Sequence, residues 1–282
     1  MKPNSPKFAT TSAALLVLTA ASQAATLFNG TGADTAGILN SVNAFKSALG
    51  NGSTTPNAPT NSNFADGFRA INWDAAPDAV SSPNAFPGGF FNTDFSPRAR
   101  GMDFSTPGTG FALSATVASG VGTNFSNINA SYANEFTTFS PERLFSPLGS
   151  NIVDILFFDP TNPSRSALVD GFGAVFTDVD VANLSRIEFF DINDNLLTTA
   201  FAEPSDKGLS FAGAHFDTEG EVLARARIFL GNANLGANDG PGSDVVALDD
   251  FIAGEMVAIP ETSSSLLIIS AGLLAISRRR RG

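Results

Sequence analysis

The segment Leu223-Ala224-Arg225-Ala226-Arg227-Ile228-Phe229 alternates arginines with small and apolar residues. Because successive side chains of a β-strand point to opposite faces of the sheet, Arg225 and Arg227 share one face, and Ala226 and Ile228 share the other. One polar and one apolar face are typical of an antiparallel sheet that is solvated on a single side. The segment therefore predicts a sheet that packs its other side against a core.

Short runs rich in aromatic and β-branched residues recur from Phe68 onward and are separated by clusters of turn residues. The predicted strands are 68–73, 110–117, 152–158, 171–177, 186–191, 196–201, 209–216, 222–230 and 245–252. This spacing predicts a mainly β protein that forms a single antiparallel β-sandwich of jelly-roll-like type, in the range 64–256.

One helix is predicted ahead of these strands, over residues 34–49. Asp34 can cap its first turn, apolar residues recur at helical spacing, and Gly50-Asn51-Gly52 can end it. The recurring apolar residues are Ile38, Val42, Phe45 and Leu49. Residues 51–63 are rich in Asn, Ser, Thr and Pro, which predicts a polar loop or linker without a fixed fold. We therefore interpret 25–63 as an N-terminal helix followed by a linker.

The composition excludes several kinds of chemistry. The chain has no cysteine, so it has no disulfide, thiolate nucleophile or cysteine metal site. Its formal net charge is −11, and the 10 arginines and lysines that lie outside the two ends are outnumbered by 27 acidic residues. An acidic protein of this kind is not expected to bind nucleic acid, whereas contact with divalent cations is reasonable.

The amino-terminal residues 1–24 have the features of a secretory signal peptide. Lys2 and Lys7 give a positive start, residues 8–21 are apolar or small, and Ser22-Gln23-Ala24 places small residues where signal peptidase reads them. The apolar run is shorter than the roughly 20 residues that span a bilayer. We therefore predict cleavage by signal peptidase after Ala24 or Ala25, and export of the rest of the chain.

The carboxyl-terminal residues 257–282 combine a short motif, an apolar run and a basic end. Pro260 and Glu261 lie in the motif at 259–263, which precedes the predicted apolar helix at 264–277. The arginine cluster Arg278, Arg279, Arg280 and Arg281 closes the chain. Arginines resist transfer across a membrane and stay on its cytoplasmic side, so they predict a membrane stop with the body of the protein outside.

This tail resembles the PEP-CTERM sorting signal of bacterial exosortase substrates, in which a Pro-Glu motif, an apolar helix and basic residues follow one another. The family motif usually reads Val-Pro-Glu-Pro, and here Ile259 and Thr262 replace the Val and the second Pro. The resemblance implies that an exosortase-type membrane protease cuts near Pro260-Glu261. It also implies transient anchoring at the inner membrane, followed by release or transfer to the cell envelope, the surface or the extracellular matrix.

The body of the chain resembles a group of exported bacterial proteins. The matching stretches are 68–74, 104–111, 172–180 and 248–251. This resemblance implies one domain and attaches no particular activity to it.

No catalytic constellation is recognisable in the sequence. The single histidine, His215, lies between apolar residues on a predicted strand, which favours a structural role. Neighbouring Asp249 and Asp250 are expected on opposite faces of their strand, and we interpret them, like Asp178 and Asp180, as solvated turn carboxylates. Glycoside hydrolysis instead needs two carboxylates that face one cleft. Trp73 is expected to fill the core rather than to stack on a sugar.

Calcium is the one cofactor for which the sequence offers ligands. Asp191, Asn193 and Asp194 lie in one oxygen-rich turn, and Asp239 and Asp244 lie in another. Carboxylate and amide oxygens are the donors that Ca²⁺ prefers. Such Asn-Asp-Gly clusters also form ordinary hairpin turns, so the turn interpretation is favoured and no cofactor is required.

The expected function is therefore that of an exported, non-catalytic protein of the envelope or matrix. A carbohydrate-binding β-sandwich module with an exopolysaccharide as partner is the alternative. A polysaccharide-active hydrolase or lyase is the third hypothesis.

Overall fold

The protein is described by a computed structural model, which covers residues 25–217 and 222–260. In chain order the strands are β1 (Ala25–Gly32), β2 (Phe68–Ile71), β3 (Met102–Ser105), β4 (Gly110–Leu113), β5 (Phe145–Leu148), β6 (Ile152–Asp159), β7 (Asn162–Leu168), β8 (Gly171–Val179), β9 (Arg186–Phe190), β10 (Leu196–Phe201), β11 (Ser205–Phe216), β12 (Arg225–Phe229), β13 (Ala247–Gly254) and β14 (Val257–Ala258). The α-helices are α1 (Thr35–Leu49) and α2 (Tyr132–Glu135), and single 3₁₀ turns span Asp78–Val80, Gly88–Phe90 and Val117–Ser119.

The strands form two antiparallel sheets that pack face to face as a β-sandwich, which confirms the predicted mainly β fold. One sheet has the order β1-β11-β8-β13-β5-β4, and β2 also pairs with β13; we call it the helix-covered sheet. The other has the order β10-β9-β12-β6-β7-β14, and β3 also pairs with β6; we call it the solvent-facing sheet. In β12 the predicted alternation is confirmed, because Ala226 and Ile228 are buried while Arg225 and Arg227 lie on the outer face.

Each predicted strand corresponds to an observed one, although their ends differ by up to a few residues. The sequence analysis did not predict β1, β3, β5, β7 or β14. Three of them have unusual compositions for a strand: β1 contains two glycines, β5 contains Pro147, and β7 begins with Asn162-Pro163. Glycine and proline are depleted in strand interiors, so pairing with neighbouring strands, rather than local preference, makes these segments extended.

Trp73 lies at the centre of the core between the two sheets, as predicted. Its ring is only 1% exposed and stacks on Phe145 with ring centroids 4.4 Å apart and planes 2° apart. Its indole N–H donates to the backbone carbonyl of Asp249 at 2.8 Å. The backbone of Trp73 is left-handed, with φ of 66°, a conformation that is strained for a bulky residue. Several phenylalanines pack edge-on or tilted around the indole, namely Phe86, Phe91, Phe104 and Phe251.

The predicted helix is confirmed as α1, which covers the outer face of the helix-covered sheet. Asp34 caps it by accepting a hydrogen bond from the Gly37 backbone N–H, and the four predicted apolar residues are all buried against the sheet. The helix lies very close to β1, since a Cβ on Gly32 would be 2.5 Å from the Cα of Gly37. Both positions therefore require glycine.

Residues 25–63 are part of the sandwich rather than a separate appendage. Strand β1 pairs with β11 along its whole length, from Ala25 opposite Phe216 to Gly32 opposite Leu209. The polar segment 51–63 is also held in place, because the Arg69 guanidinium donates to the carbonyls of Thr60 and Ser62. The expectation of a linker without a fixed fold is therefore wrong, and the reason is this buried arginine.

Arg69 is one of two buried arginines among the described residues, the other being Arg143. Its guanidinium is paired with the carboxylate of Glu255 at 2.7 Å, and both side chains are almost completely buried. Arg69 also donates to the carbonyl of Ala99, and Glu255 accepts from the side chain of Asn57. The pair thus joins β2, the segment 57–62, the segment before β3, and the residue that follows β13.

The described residues extend slightly into the predicted sorting tail. Strand β14 pairs with β7, and the Ile259 backbone N–H donates to the carbonyl of Ser166. The rest of the motif from Glu261, the apolar run 264–277 and the cluster Arg278 to Arg281 lie outside the described residues, as does the signal segment up to Ala24. In the part of the chain that the structure covers, no helix is long and apolar enough to cross a membrane.

Candidate metal centre

Six carboxylates converge at one end of the sandwich and form what we call the acidic cleft. They belong to Glu135, Asp178, Asp180, Asp206, Asp239 and Asp244. They fall into three overlapping groups of three, and within each group the carboxylate oxygens lie within 4.8 Å of one another. A cleft of about 750 Å³, open to solvent, adjoins them.

Two of these carboxylates are positioned by the paired ends of β8 and β11. Asp178 lies near the end of β8 with a left-handed backbone, φ of 65°, and its side chain is fully buried. Opposite it, the register of β11 shifts between Ser205 and Leu209, so that Asp206 and Lys207 bulge towards the cleft. The Lys207 backbone N–H donates to Asp178 Oδ1 at 2.7 Å. The bulge therefore holds one oxygen of Asp178 and leaves the other without a hydrogen-bond partner among the described residues.

The loop between β12 and β13 supplies two more carboxylates. Asp239 accepts a hydrogen bond from the Val245 backbone N–H at 2.9 Å. The buried Asp244 accepts from the backbone N–H groups of Asp180 and Val181. This loop is anchored from the other side by Tyr132 of α2, whose hydroxyl donates to the Ala237 carbonyl at 2.6 Å and accepts from the Gly236 N–H at 2.8 Å.

Burial and mutual repulsion disfavour the charged forms of these carboxylates. Burial, together with the charges of Asp239 and Asp180, raises the pKa of Asp178 to about 7. The hydrogen bond from the Lys207 backbone N–H lowers this pKa but does not offset the rise. Burial and the neighbouring Asp239, Asp206 and Asp244 raise the pKa of Asp180 to about 6. Burial also raises the pKa of Asp244.

Within the acidic cleft, two buried carboxylate oxygens have no hydrogen-bond partner among the described residues, Oδ2 of Asp178 and Oδ1 of Asp180. The nearby cation is Lys207, whose ammonium pairs with Glu135 at 3.1 Å and is half exposed. Leaving a buried acceptor without a donor costs about 1–3 kcal/mol, and more when it is charged. A cation bound between these oxygens would supply the contacts that they lack and would offset the repulsion between the carboxylates.

Of the two turns predicted to offer calcium ligands, one lies in the acidic cleft and the other lies elsewhere. Asp239 and Asp244 both belong to the acidic cleft. Asp191, Asn193 and Asp194 instead lie in the turn between β9 and β10 on the solvent-facing sheet. There the Asp191 carboxylate accepts hydrogen bonds from the Asn193 and Asn195 backbone N–H groups, and Asp194 pairs with Arg225. These contacts are those of an ordinary hairpin turn.

Sequence reasoning did not assign Glu135, Asp178, Asp180 or Asp206 to a site. Asp178 and Asp180 are two residues apart at the end of a long apolar strand, which places both carboxylates on one side and was the usable signal. The expectation that Asp178 is a solvated turn carboxylate is wrong, because this residue still belongs to the buried strand β8. No local sequence pattern indicates that Glu135 or Asp206 belongs to the site. Glu135 lies in α2, and Asp206 lies in the bulge of β11.

Asp249 and Asp250 form a second pair of neighbouring carboxylates. The expectation that they are solvated and point to opposite faces is wrong. Both side chains are buried, and both accept a hydrogen bond from the Ser140 hydroxyl, at 3.1 and 2.7 Å. The register of β13 against β8 shifts between Leu248 and Phe251, and this bulge turns the two neighbouring residues to the same face. Asp249 also accepts from the Phe139 N–H. Burial raises the pKa of both carboxyls, and the contacts pin the segment at 139–140 onto the sheet.

His215 lies on β11 and is mostly buried, and its Nε2 is 3.5 Å from Asp170 Oδ2. Asp170 directly precedes β8, and its backbone carbonyl accepts from the Phe216 N–H. The histidine therefore joins two paired strands, in keeping with the predicted structural role.

We predict that the protein without bound metal loses stability as the pH rises from about 4 to about 7. The pKa values of Asp178 and Asp180 are raised in the folded state, so the folded protein holds protons that the unfolded chain has already released, and stability falls with pH in that interval. Each unit of pKa corresponds to about 1.4 kcal/mol. Urea unfolding in EDTA at about pH 5 and about pH 8 measures the difference. Equal stabilities, or a rise with pH, would contradict the described surroundings of these carboxylates.

No protein-family model, no curated protein and no solved structure matches this chain. The acidic cleft is therefore the main ground for a functional conclusion.

Proposed function

We propose that this chain is an exported, non-catalytic protein of the cell envelope or extracellular matrix whose jelly-roll-like sandwich binds a divalent cation in the acidic cleft. The observation that carries the cation site is Asp178, a fully buried carboxylate that lies among other carboxylates and whose Oδ2 has no hydrogen-bond partner among the described residues. Asp178 shares one group of carboxylates with Glu135 and Asp239 and another with Asp180 and Asp206. Asp180 and Asp239 form a third group with Asp244.

Calcium is the cation that these ligands fit. The cleft offers only oxygen donors, and the chain has no cysteine and a single histidine, His215, which lies elsewhere on β11. Zn²⁺ sites are normally built from cysteine and histidine, whereas Ca²⁺ takes six to eight oxygens in flexible geometry. Carboxylates from four separate segments and a solvent-accessible side for water suit Ca²⁺ better than the strict octahedron of Mg²⁺.

We predict that Ca²⁺ raises the melting temperature by about 5 °C or more. At a free concentration of about 100 times Kd, binding to the folded state alone stabilises it by about 2.7 kcal/mol, and for a domain of this size each kcal/mol shifts the melting temperature by about 2–4 °C. Thermal unfolding followed by circular dichroism, in EDTA and across a Ca²⁺ series at about pH 7.5, measures the shift. Isothermal titration calorimetry gives the stoichiometry.

Two variants make this experiment specific. Asp178→Asn should abolish the Ca²⁺ shift and, because it removes a buried charge, should raise the melting temperature in EDTA. Asp191→Asn changes a carboxylate of the other predicted turn and should leave the Ca²⁺ shift unchanged. An unchanged melting temperature of the wild type at millimolar Ca²⁺, or an equal shift in Asp178→Asn, would show that the cleft is not a calcium site.

The sorting part of the proposal rests on the sequence of the two ends. Strand β1 begins at Ala25, next to the predicted signal-peptidase site, so cleavage after Ala24 leaves its pairing with β11 complete. At the other end, β14 and the Ile259 hydrogen bond hold the chain up to the residue before Pro260. The Pro-Glu motif that an exosortase-type protease would read therefore directly follows residues that are held on the sandwich by β7.

We predict that the two parts of the tail fail in different ways when changed. Neutral residues in place of Arg278 to Arg281 remove charges that cost about 2.5–3.5 kcal/mol each near the bilayer centre, so the protein should appear outside the cell with its tail uncut. Replacing Pro260 and Glu261 by alanine keeps the membrane stop and should leave uncut protein at the inner membrane. Cell fractionation with intact mass distinguishes the two. Wild-type location and trimming in both variants would refute the sorting proposal.

A further inference from the structure

A second cleft borders Trp73 and combines apolar walls with two arginines. We call it the arginine cleft; it encloses about 410 Å³ including its open mouth, and it is lined by Trp73, Phe90, Phe91, Arg98 and Arg100 among others. It is separate from the acidic cleft, which shares none of its residues.

The two arginines are held by aromatic rings rather than by acids. The Arg98 guanidinium lies over the ring of Phe90, 4.5 Å from its centroid, and 5.6 Å from that of Phe95. The Arg100 guanidinium lies 5.0 Å from the centroid of Phe91. Arg100 donates through Nε and Nη1 to the carbonyls of Ala70 and Pro97. Its orientation is thus fixed by the backbone on either side of the cleft.

Neither guanidinium has an acidic partner within the described ranges, although the protein as a whole is strongly acidic. The acidic residues nearest in sequence, Asp94 and Asp103, form no ion pair with either arginine. Burial and the neighbouring Arg69 guanidinium lower the pKa of Arg100 to about 10, as expected of a cation without a counter-ion. The cleft is therefore a positive and apolar site on a negatively charged molecule.

The rim adds an exposed aromatic ring. Phe95 is 61% exposed, the highest value among the large aromatic side chains that are described, and its ring lies beside Arg98. An exposed phenylalanine offers a flat face for a ring but no polar edge to orient it. Two guanidinium groups next to it supply that orientation, since an arginine can grip a carboxylate with two parallel hydrogen bonds.

We propose that the arginine cleft binds a uronate unit of an acidic polysaccharide, that is, a six-membered sugar ring that carries a carboxylate. The carboxylate pairs with Arg98 and with the Nη2 of Arg100, and the ring packs against Phe95 and Phe90. Charge complementarity selects the ligand, because the acidic remainder of the surface repels a polyanion everywhere else. A neutral sugar lacks the group that the arginines bind.

Trp73 provides a direct test, because it is the single tryptophan of the chain and lies in the wall of this cleft. The probe is an oligogalacturonate, titrated in EDTA so that the metal site and the chelation of Ca²⁺ by the probe play no part. We expect a saturable change in Trp73 emission, none with a neutral cello-oligosaccharide, and weaker binding of benzoate. Arg98→Gln should raise Kd about tenfold or more, as loss of a charged hydrogen-bond pair does.

Arg186→Gln is the matched control, because Arg186 also lies over a phenylalanine ring, at 3.7 Å from the centroid of Phe229, but on the solvent-facing sheet. It should bind the probe like the wild type. Unchanged emission at millimolar oligogalacturonate, or equal affinity in Arg98→Gln, would overturn the proposal. Benzoate binding as tightly as the uronate would assign the cleft to small aromatic acids and overturn the polysaccharide. None of these results depends on the Ca²⁺ titration, so the two proposals fail separately.

Discussion

Replacing Arg69 by methionine should destabilise the protein by about 3–5 kcal/mol. The substitution leaves the Glu255 carboxylate buried without its cation, and breaking a buried pair from one side costs this much. It also removes the donors to the carbonyls of Ala99, Thr60 and Ser62. Urea unfolding followed by circular dichroism measures the loss. Limited proteolysis should additionally show new cleavage in the range 51–63, whose position depends on this arginine.

The double variant Arg69→Met with Glu255→Gln tests the cause. Glutamine keeps an acceptor for the Asn57 side chain while removing the orphaned charge. Because a buried pair replaced by neutral residues is often close to neutral in stability, the double variant should be more stable than Arg69→Met alone. A double variant as unstable as the sum of the two single ones would mean that the lost backbone contacts, and not the unpaired charge, dominate.

Replacing Trp73 by alanine should cost about 3–5 kcal/mol, the range found when a large buried aromatic is truncated. The indole contacts Phe145 face to face and several other rings edge-on, and its N–H satisfies the Asp249 carbonyl. A cavity between the two sheets and an unpaired carbonyl would therefore remain. Because the variant has no tryptophan, circular dichroism in urea is the measurement. A loss below about 1 kcal/mol would contradict the central position of this ring.

The left-handed backbone at Trp73 makes glycine the matched comparison. Glycine normally destabilises a structured segment relative to alanine, by roughly 0.5–1 kcal/mol. At φ of 66° the order should reverse, because alanine keeps the strain and glycine relieves it. Trp73→Gly should therefore be at least as stable as Trp73→Ala. The usual order would show that the backbone relaxes once the ring is removed.

The fold could be predicted as far as side-chain patterns reach. Alternation in 223–229 and the capped helical pattern in 34–49 identified β12 and α1, because in both the burial of one face follows the local period. Strands β1 and β7 were missed because their residues have little preference for an extended backbone. What holds them is pairing with β11 and β6, which lie at sequence distances that local patterns do not report.

The candidate site could be predicted only in part, for a related reason. Asp239 and Asp244 lie in one oxygen-rich turn and were identified from it, but the same composition at Asp191 belongs to a self-contained hairpin. Asp178 was misjudged because a carboxylate inside a buried strand is rare and is informative only once its unpaired oxygen is seen. Asp206 reaches the cleft through a register shift, and register is a property of two strands together.

The pairing of the first strand with a late one also decides when this protein can fold. Strand β1 pairs with β11, and β2 pairs with β13, so neighbouring strands of the helix-covered sheet come from opposite ends of the chain. Contacts of such high sequence separation carry a large loop-closure cost, and β proteins dominated by them fold on the scale of milliseconds to seconds. The core cannot close before residue Glu255 has been synthesised. A chain exported as proposed therefore lacks its complete core until most of it has been synthesised, which favours passage through a translocation channel before the sandwich closes.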